Sequence, residues 1–347
     1  MKKLQATEYT YASARIRAME NRLVGRERVD VLVDLKSSED VMVKLSEYGV
    51  LSAAEGEGSA PASGETLGYK REEMLTSLLC AACNEVYEAV PEPEFFAWFR
   101  YPYDCNNIKT VIKCHIRGID PMDMLFDFGT VSAEETVRLL TEGKCDAFPT
   151  AMAAAIGEAK EAYAKTNDPQ QIDAILDKAC YADMLTSAKA SGNETILGWI
   201  TTKIDLVNIM MCLRILRMKR GETGKIFMDT CLLEGGDLPL AFFDAAYEGG
   251  EEMLWSGLSS SQYSKYNRFV SAVERTDKSL SAIERCADNH WMLIVREGAR
   301  VPFGAEVAGG YLVACEVAVK NIRIILAAKD AKLSSDVLRE RIRDSYV

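Results

Sequence analysis

Three asparagine–isoleucine pairs, Asn107-Ile108, Asn208-Ile209 and Asn321-Ile322, each sit inside a long run of helical periodicity, 101 and 113 residues apart. A chain that repeats itself at this spacing is assembled from similar units, and the apolar period says what the units contain. Tyr9, Ala12, Ile16, Met19 and Leu23 fall on one helical stripe. So do Ile108, Val111, Ile112 and Ile116, then Leu206, Ile209, Leu213 and Leu216, and finally Val319, Ile322 and Leu326. Such stripes belong to amphipathic helices. Alternation with period two is confined to Arg28–Leu35, which reads as a short strand or an extended linker. Only nine prolines occur in 347 residues, and the usage of alanine, leucine, glutamate and lysine favours helices. The expected fold class is all-α.

The repeat extends beyond asparagine. Asp104 and Asp205 stand three residues before Asn107 and Asn208. Each long helix leads through a connector to a shorter amphipathic segment. The connectors Leu35–Asp40, Val131–Glu135 and Leu333–Val337 carry serine followed by acids, an N-cap signature, and Ser132 with Glu135 has the capping-box spacing. Leu232–Asp237 takes the matching place in the remaining unit. The pattern predicts repeat domains at 1–94, 95–195 and 196–347, the last including a C-terminal half-unit. Glu55–Gly68, rich in glycine, serine and glutamate, is expected to be a mobile surface loop.

Composition narrows the function. Lysine and arginine number 41 against 52 acids, a net charge of −11, which argues against a nucleic-acid partner. The start, Met1-Lys2-Lys3-Leu4, lacks an apolar core, so no secretory signal is expected. The best candidate for a membrane span, Val307–Ala328, is interrupted by Glu316, Lys320 and Arg323, and no span is expected. Ten scattered cysteines then read as reduced thiols of a cytosolic chain, and the sequon at Asn193 as chance.

Catalytic patterns are sparse. Cys80-Ala-Ala-Cys83 is the lone CxxC; Cys105, Cys114 and His115 do not complete a metal set at the usual spacing, so the pair reads as small residues in a helix interface. His115 and His290 are the only histidines, and His115 is expected to pack. Gly221-Glu-Thr-Gly224-Lys225 is too short between its glycines for a phosphate loop and reads as a helix terminus and turn. Glu251-Glu252 reads as solvated surface. No catalytic residue, cofactor site or metal site is expected.

One charge feature stands out. Windows 15–28, 105–118, 206–220 and 317–332 together hold 16 basic and 3 acidic residues, whereas the remaining chain holds 25 and 49. Cations late in helices complement the macrodipole; alternatively, equivalent helices present a basic face to an anionic partner. Lys113, Arg214 and Arg323 are the candidate docking residues.

Several segments carry a resemblance. Tyr9–Glu20 (YTYASARIRAME) resembles the opening of the C subunits of archaeal and bacterial A/V-type ATP synthases, a family that includes the d subunit of the vacuolar ATPase. Asp104–Pro149, with DCNNIKTVIKCHIRG and DFGTVSAEETVRLL, is similar to its second repeat. Asp205–Gly250, with CLLEGGDLP and AYEGG, is similar to its third, and Gly310–Ile342 resembles its C-terminal helices. The resemblance implies a funnel of three similar helical domains with pseudo-threefold symmetry. It also implies a non-catalytic part of the central stalk, on the cytoplasmic face of the membrane. Such a part couples the shaft, formed by the D and F subunits, to the membrane proteolipid ring during proton or sodium transport. The residues alone leave open a cytosolic helical scaffold that binds a soluble protein, and a thiol or metal enzyme resting on Cys80 and Cys83.

Overall fold

The computed structural model describes residues 5–50, 64–218 and 221–347. Among them are fifteen α-helices, a few 3₁₀ turns and no strand; the protein is all-α. The helices are α1 (Thr10–Met19), α2 (Arg26–Asp34), α3 (Ser38–Glu47), α4 (Gly64–Ala89), α5 (Tyr101–Arg117), α6 (Ala133–Glu142), α7 (Thr150–Thr166) and α8 (Pro169–Ser191). They continue as α9 (Glu194–Met218), α10 (Gly221–Cys231), α11 (Leu240–Leu258), α12 (Asn267–Glu274), α13 (Leu280–Gly298), α14 (Ala305–Asp330) and α15 (Ser335–Arg339).

Local chemistry sets several boundaries. Ser37 caps α3 by accepting from the Asp40 N–H at 3.1 Å, while the Asp40 carboxylate accepts from the Ser37 N–H at 3.2 Å. This reciprocal pair is a capping box. Ser132 and Ser334 cap α6 and α15 in the same way, without the return bond. Pro169 opens α8, where its missing N–H costs nothing. Within α11 the backbone leaves helical geometry at Gly250, whose φ of 80° suits only glycine.

The chain forms two compact units, Glu94–Glu284 and a second made of the segment up to Pro93 with Arg285–Val347. In the first, α8 packs on α5, α7, α9 and α10, while α9 also meets α10 and α11. Trp98, Ile108, Trp199, Ile204 and Phe243 are fully buried there. In the second, α14 is the hub and touches α1, α2, α3, α4 and α15. Its Ile322, Ile325 and Leu326 share a core with Leu32, Val41, Leu45 and Leu338. Each such side chain contributes about 1.5–3 kcal/mol by leaving water.

Four expectations change. Arg28–Leu35 is neither strand nor linker: it lies in α2, with Val29, Leu32 and Val33 buried at i, i+3 and i+4. Of the expected loop Glu55–Gly68, residues 64–68 begin α4, and the rest lies outside the described residues. The helix that best meets the length and apolarity of a membrane span is α9 rather than α14. It is two-thirds buried in the protein and carries the buried Asp205 and Asn208. His115 is exposed rather than packed.

Candidate functional site

Each of the three recurrent asparagines is buried in the middle of a long helix and makes the same pair of hydrogen bonds. Asn107 on α5 donates from Nδ2 to the Phe126 carbonyl at 2.7 Å and accepts at Oδ1 from the Phe126 N–H at 3.0 Å. Asn208 on α9 treats Leu233 identically, at 2.8 Å for both bonds. Asn321 on α14 holds Arg343, at 3.0 Å to its carbonyl and 2.9 Å from its N–H. In every case a carboxamide satisfies both polar groups of one backbone residue that no helix or sheet satisfies.

Two aspartates add a second clamp five residues further along. Asp104 accepts from the Val131 N–H at 3.1 Å and the Thr130 hydroxyl at 2.7 Å. Asp205 accepts from the N–H groups of Asp237 and Leu238, both at 3.0 Å, and from the Tyr266 hydroxyl. Both carboxylates lie just ahead of the N-termini of α6 and α11, where negative charge is favoured. Burial raises both carboxyl pKa values above the usual range, although the hydrogen bonds oppose it. The same contact explains Gly129 and Gly236: a Cβ on either would lie 2.1 Å from the clamping Asp Oδ1.

The clamps also correct the alignment of the connectors. The segment Phe126–Val131 corresponds to Leu233–Leu238, so Ser132 follows its clamp and matches Pro239. Ser334 instead precedes the Asn321 clamp at Arg343. The two serine connectors are therefore not equivalent, although both cap helices.

The three candidate docking cations lie on the same long helices and each has a partner in its own unit. Lys113 pairs with Asp173 on α8, Arg214 with Glu284 at 3.3 Å, and Arg323 with Glu72 on α4 at 2.9 Å. Lys109 pairs with Asp177 one turn from the Lys113 contact. Their crossed order, 109 to 177 and 113 to 173, shows α5 and α8 running antiparallel. Lys109 and the three candidate cations thus stand on one side of interhelical ion pairs, while Arg117, Arg217 and Lys329 lie in the last turns of their helices, where they complement the macrodipole.

Cys80 and Cys83 lie on α4, Cys83 buried and Cys80 partly so, and no group of three metal-ligating side chains occurs among the described residues. None of the ten cysteines forms a disulfide. Burial pushes Cys212 and Cys315 up to about 12 and Cys231 up to about 11, which leaves them protonated and poorly nucleophilic at neutral pH. Gly221–Lys225 forms the start of α10, and Lys225 is paired with Asp229 and Asp244. A cavity of about 570 Å³ beside α14 is walled by Leu23, Val24, Leu78, Ala82, Val319 and Ile322. Arg22, Glu85, Tyr311 and Cys315 also line it, but burial holds the Cys315 thiol up to about 12, so the cavity offers no activated nucleophile at neutral pH.

Sequence reasoning singled out the asparagines but missed the role of Gly129, Gly236 and Asp183. Asp183 accepts from the Ala151 and Met152 N–H groups at 2.9 Å each and so caps α7 from α8. A signal for the two glycines was present in the shared register of DFGTV and EGGDL. Asp183 had none, since its target lies in a different helix.

Comparison with known proteins agrees with this architecture. The family described as ATP synthase (C/AC39) subunit matches residues 12–341. The C subunit of the A-type ATP synthase of Thermococcus kodakarensis is 24% identical over 96% of this chain and 90% of its own. That of Thermococcus gammatolerans is 26% identical over 95% and 87%. The C subunit of the V-type sodium ATPase of Enterococcus hirae is 25% identical over 75% and 77%. The match runs through all three clamping helices, and the chain belongs to the ATP synthase (C/AC39) subunit family, as a structural rather than a catalytic part of a membrane-associated A/V-type ATPase complex.

Proposed function

We propose that this chain is the central-stalk coupler of a rotary A/V-type ATPase or ATP synthase. It joins the shaft, formed by the D and F subunits, to the membrane proteolipid ring, and transmits rotation during proton or sodium transport. It acts from the cytoplasmic face as a peripheral component, and its sequence repeats at 1–94, 95–195 and 196–347 act as three related domains. The single observation that carries the reading is the family match over residues 12–341, which draws in relatives named for both A-type and V-type machines.

The clamps support a mechanical role. A part that carries torque must not let its connectors yield, and an unsatisfied buried peptide group costs about 1–3 kcal/mol, so each clamp resists displacement of the segment it holds. Lys113, Arg214 and Arg323 remain the proposed docking cations, with the intramolecular pairs tuning their availability.

The test is affinity capture of a tagged chain from detergent-solubilised membranes of its own host. The D and F subunits and the proteolipid are expected in constant ratio to the chain. Capture of a soluble protein alone, with no shaft or ring component, would make the chain a cytosolic scaffold.

A further inference from the structure

Of the fourteen large apolar side chains exposed among the described residues, five lie at one end of the unit Glu94–Glu284. α5 runs antiparallel to α8, and α9 returns along α8 after the turn at 192–193, so the C-termini of α5 and α9 both lie at the end where α8 begins. Ile116 stands in the last turn of α5, Met218 closes α9, and Ile119, Met122 and Met124 follow α5 in its connector; all five are 42–52% exposed. The connector is a fixed one. Gly118 ends α5 in the left-handed conformation at φ 65°, Pro121 is buried, Met122–Met124 form a 3₁₀ turn, and Asn107 clamps Phe126 two residues on. Side chains presented this way have less freedom left to lose when a partner covers them, and methionines adapt their shape to it. Exposed apolar side chains grouped like this mark a contact surface, whereas single scattered ones do not.

The charges at this end say what covers it. Asp120 and Asp123 are interleaved with the apolar tips and exposed; Asp120 accepts from the Met122 N–H at 3.1 Å, and neither has an ion-pair partner among the described residues. They outnumber Arg117, while Lys113 and Arg214, each one helical turn further in, have acidic partners of their own. These acids would be repelled by anionic lipid, and the tips lack the aromatic side chains and basic excess of a surface that lies on a membrane. A second copy would set the same acids against each other across a two-fold axis. The complement is instead an apolar surface edged with cations. Short cytoplasmic loops of membrane proteins carry an excess of lysine and arginine and end at the lipid boundary. We propose that this end of the unit docks on the basic cytoplasmic loops of the proteolipid ring, with Ile119, Met122 and Met124 at the centre of the contact and Asp120 and Asp123 at its edge. The proposal rests on the coupler reading and adds to it the face and the residues that meet the ring.

The test is cosedimentation of the full chain with ring-containing membranes stripped of their soluble subunits, beside binding to the purified shaft pair. The combined variant Ile119→Ser, Met122→Ser and Met124→Ser should bind the ring membranes about tenfold or more weakly. Its urea midpoint and its binding to the shaft pair should stay native, because all three side chains are exposed. Asp120→Asn with Asp123→Lys, which leaves the apolar tips in place, should weaken the same contact and flatten its decline with salt, since cationic loops then meet a cation in place of two acids. Native ring binding in both variants would overturn the proposal and leave the coupler reading standing. So would loss of shaft binding in place of ring binding, which would give this end to the shaft. Equal sedimentation of the native chain with ring-free vesicles of the same lipids would make the bilayer the occupant and overturn it as well. A native chain that bound neither ring membranes nor the shaft pair would overturn both readings together.

Discussion

An asparagine side chain offers one donor and one acceptor at the spacing of a peptide's own groups, whereas aspartate offers two acceptors. That difference explains which residue stands where. Asn208 faces the N–H and C=O of one residue, while Asp205 faces two successive N–H groups. Exchanging them should therefore fail in both directions. Asn208→Asp sets a carboxylate against the Leu233 carbonyl, and Asp205→Asn turns an amide donor toward a backbone N–H. Asn208→Ala strands both Leu233 groups and should cost about 2–6 kcal/mol in urea unfolding, from two buried groups at about 1–3 kcal/mol each. Gly236→Ala should destabilise too, because its Cβ would meet the Asp205 carboxylate at 2.1 Å. A loss below about 0.5 kcal/mol for Asn208→Ala would mean that water replaces the clamp. The thiols give a pH test at the same scale. Cys231 is held up to about 11 by burial, so its reactive thiolate is scarce at pH 8 and grows as pH rises toward that value. Its alkylation rate in the native protein should still climb about tenfold per pH unit between pH 9 and 10, where an ordinary thiol of pKa about 8.5 has levelled off. A plateau by pH 9 would contradict the burial.

At the scale of the element, α2 shows where periodicity misleads. RVDVLVDL alternates well enough to suggest a strand, yet a helix buries Val29, Leu32 and Val33 and leaves Val31 43% exposed. The two readings disagree on that one residue, since a strand that buried Val29 and Val33 would bury Val31 as well. Val31→Glu should then shift stability by no more than about 0.5 kcal/mol, while Leu32→Ala should cost about 2–5 kcal/mol. The reverse ranking in chemical denaturation would restore the strand. The hub position of α14 decides the contest, because the apolar face around Ile322 and Ile325 rewards a second helix stripe more than an isolated strand with no edge to pair. The other long stripes were legible because they run for several turns: Ile16, Ile108, Ile209 and Ile322 are all buried. Ile116, at the frayed end of its stripe, is exposed.

At the scale of the whole molecule, what the sequence revealed and what it hid divide by sequence distance. The clamping asparagines recur 101 and 113 residues apart inside similar apolar runs, so they stood out before any coordinates. Arg26, Arg285, Arg339 and Arg343 line one small cleft, and no window of sequence holds all four. The charge windows fall between: their basic excess was visible, their pairing with Asp173, Glu284 and Glu72 was not. That pairing sharpens the last prediction, on the docking cations. Lys113→Glu alone would set two acids together across α5 and α8, so weakened assembly in that variant would confound docking with local repulsion. The double change Lys113→Glu with Asp173→Lys restores the internal pair with its sign reversed, and likewise Arg214→Glu with Glu284→Arg. Exposed pairs are worth about 0–1 kcal/mol, so both swaps should leave the urea midpoint within reach of the native one. If the cations serve docking, the four-residue swap should bind the shaft pair or ring-containing membranes more weakly, with a flatter dependence on salt, because the partner still meets the wrong sign at positions 113 and 214. Native affinity and salt slope in the swapped chain would assign these residues wholly to the ladders that hold α5 on α8 and α9 near Glu284, and would leave the family assignment untouched.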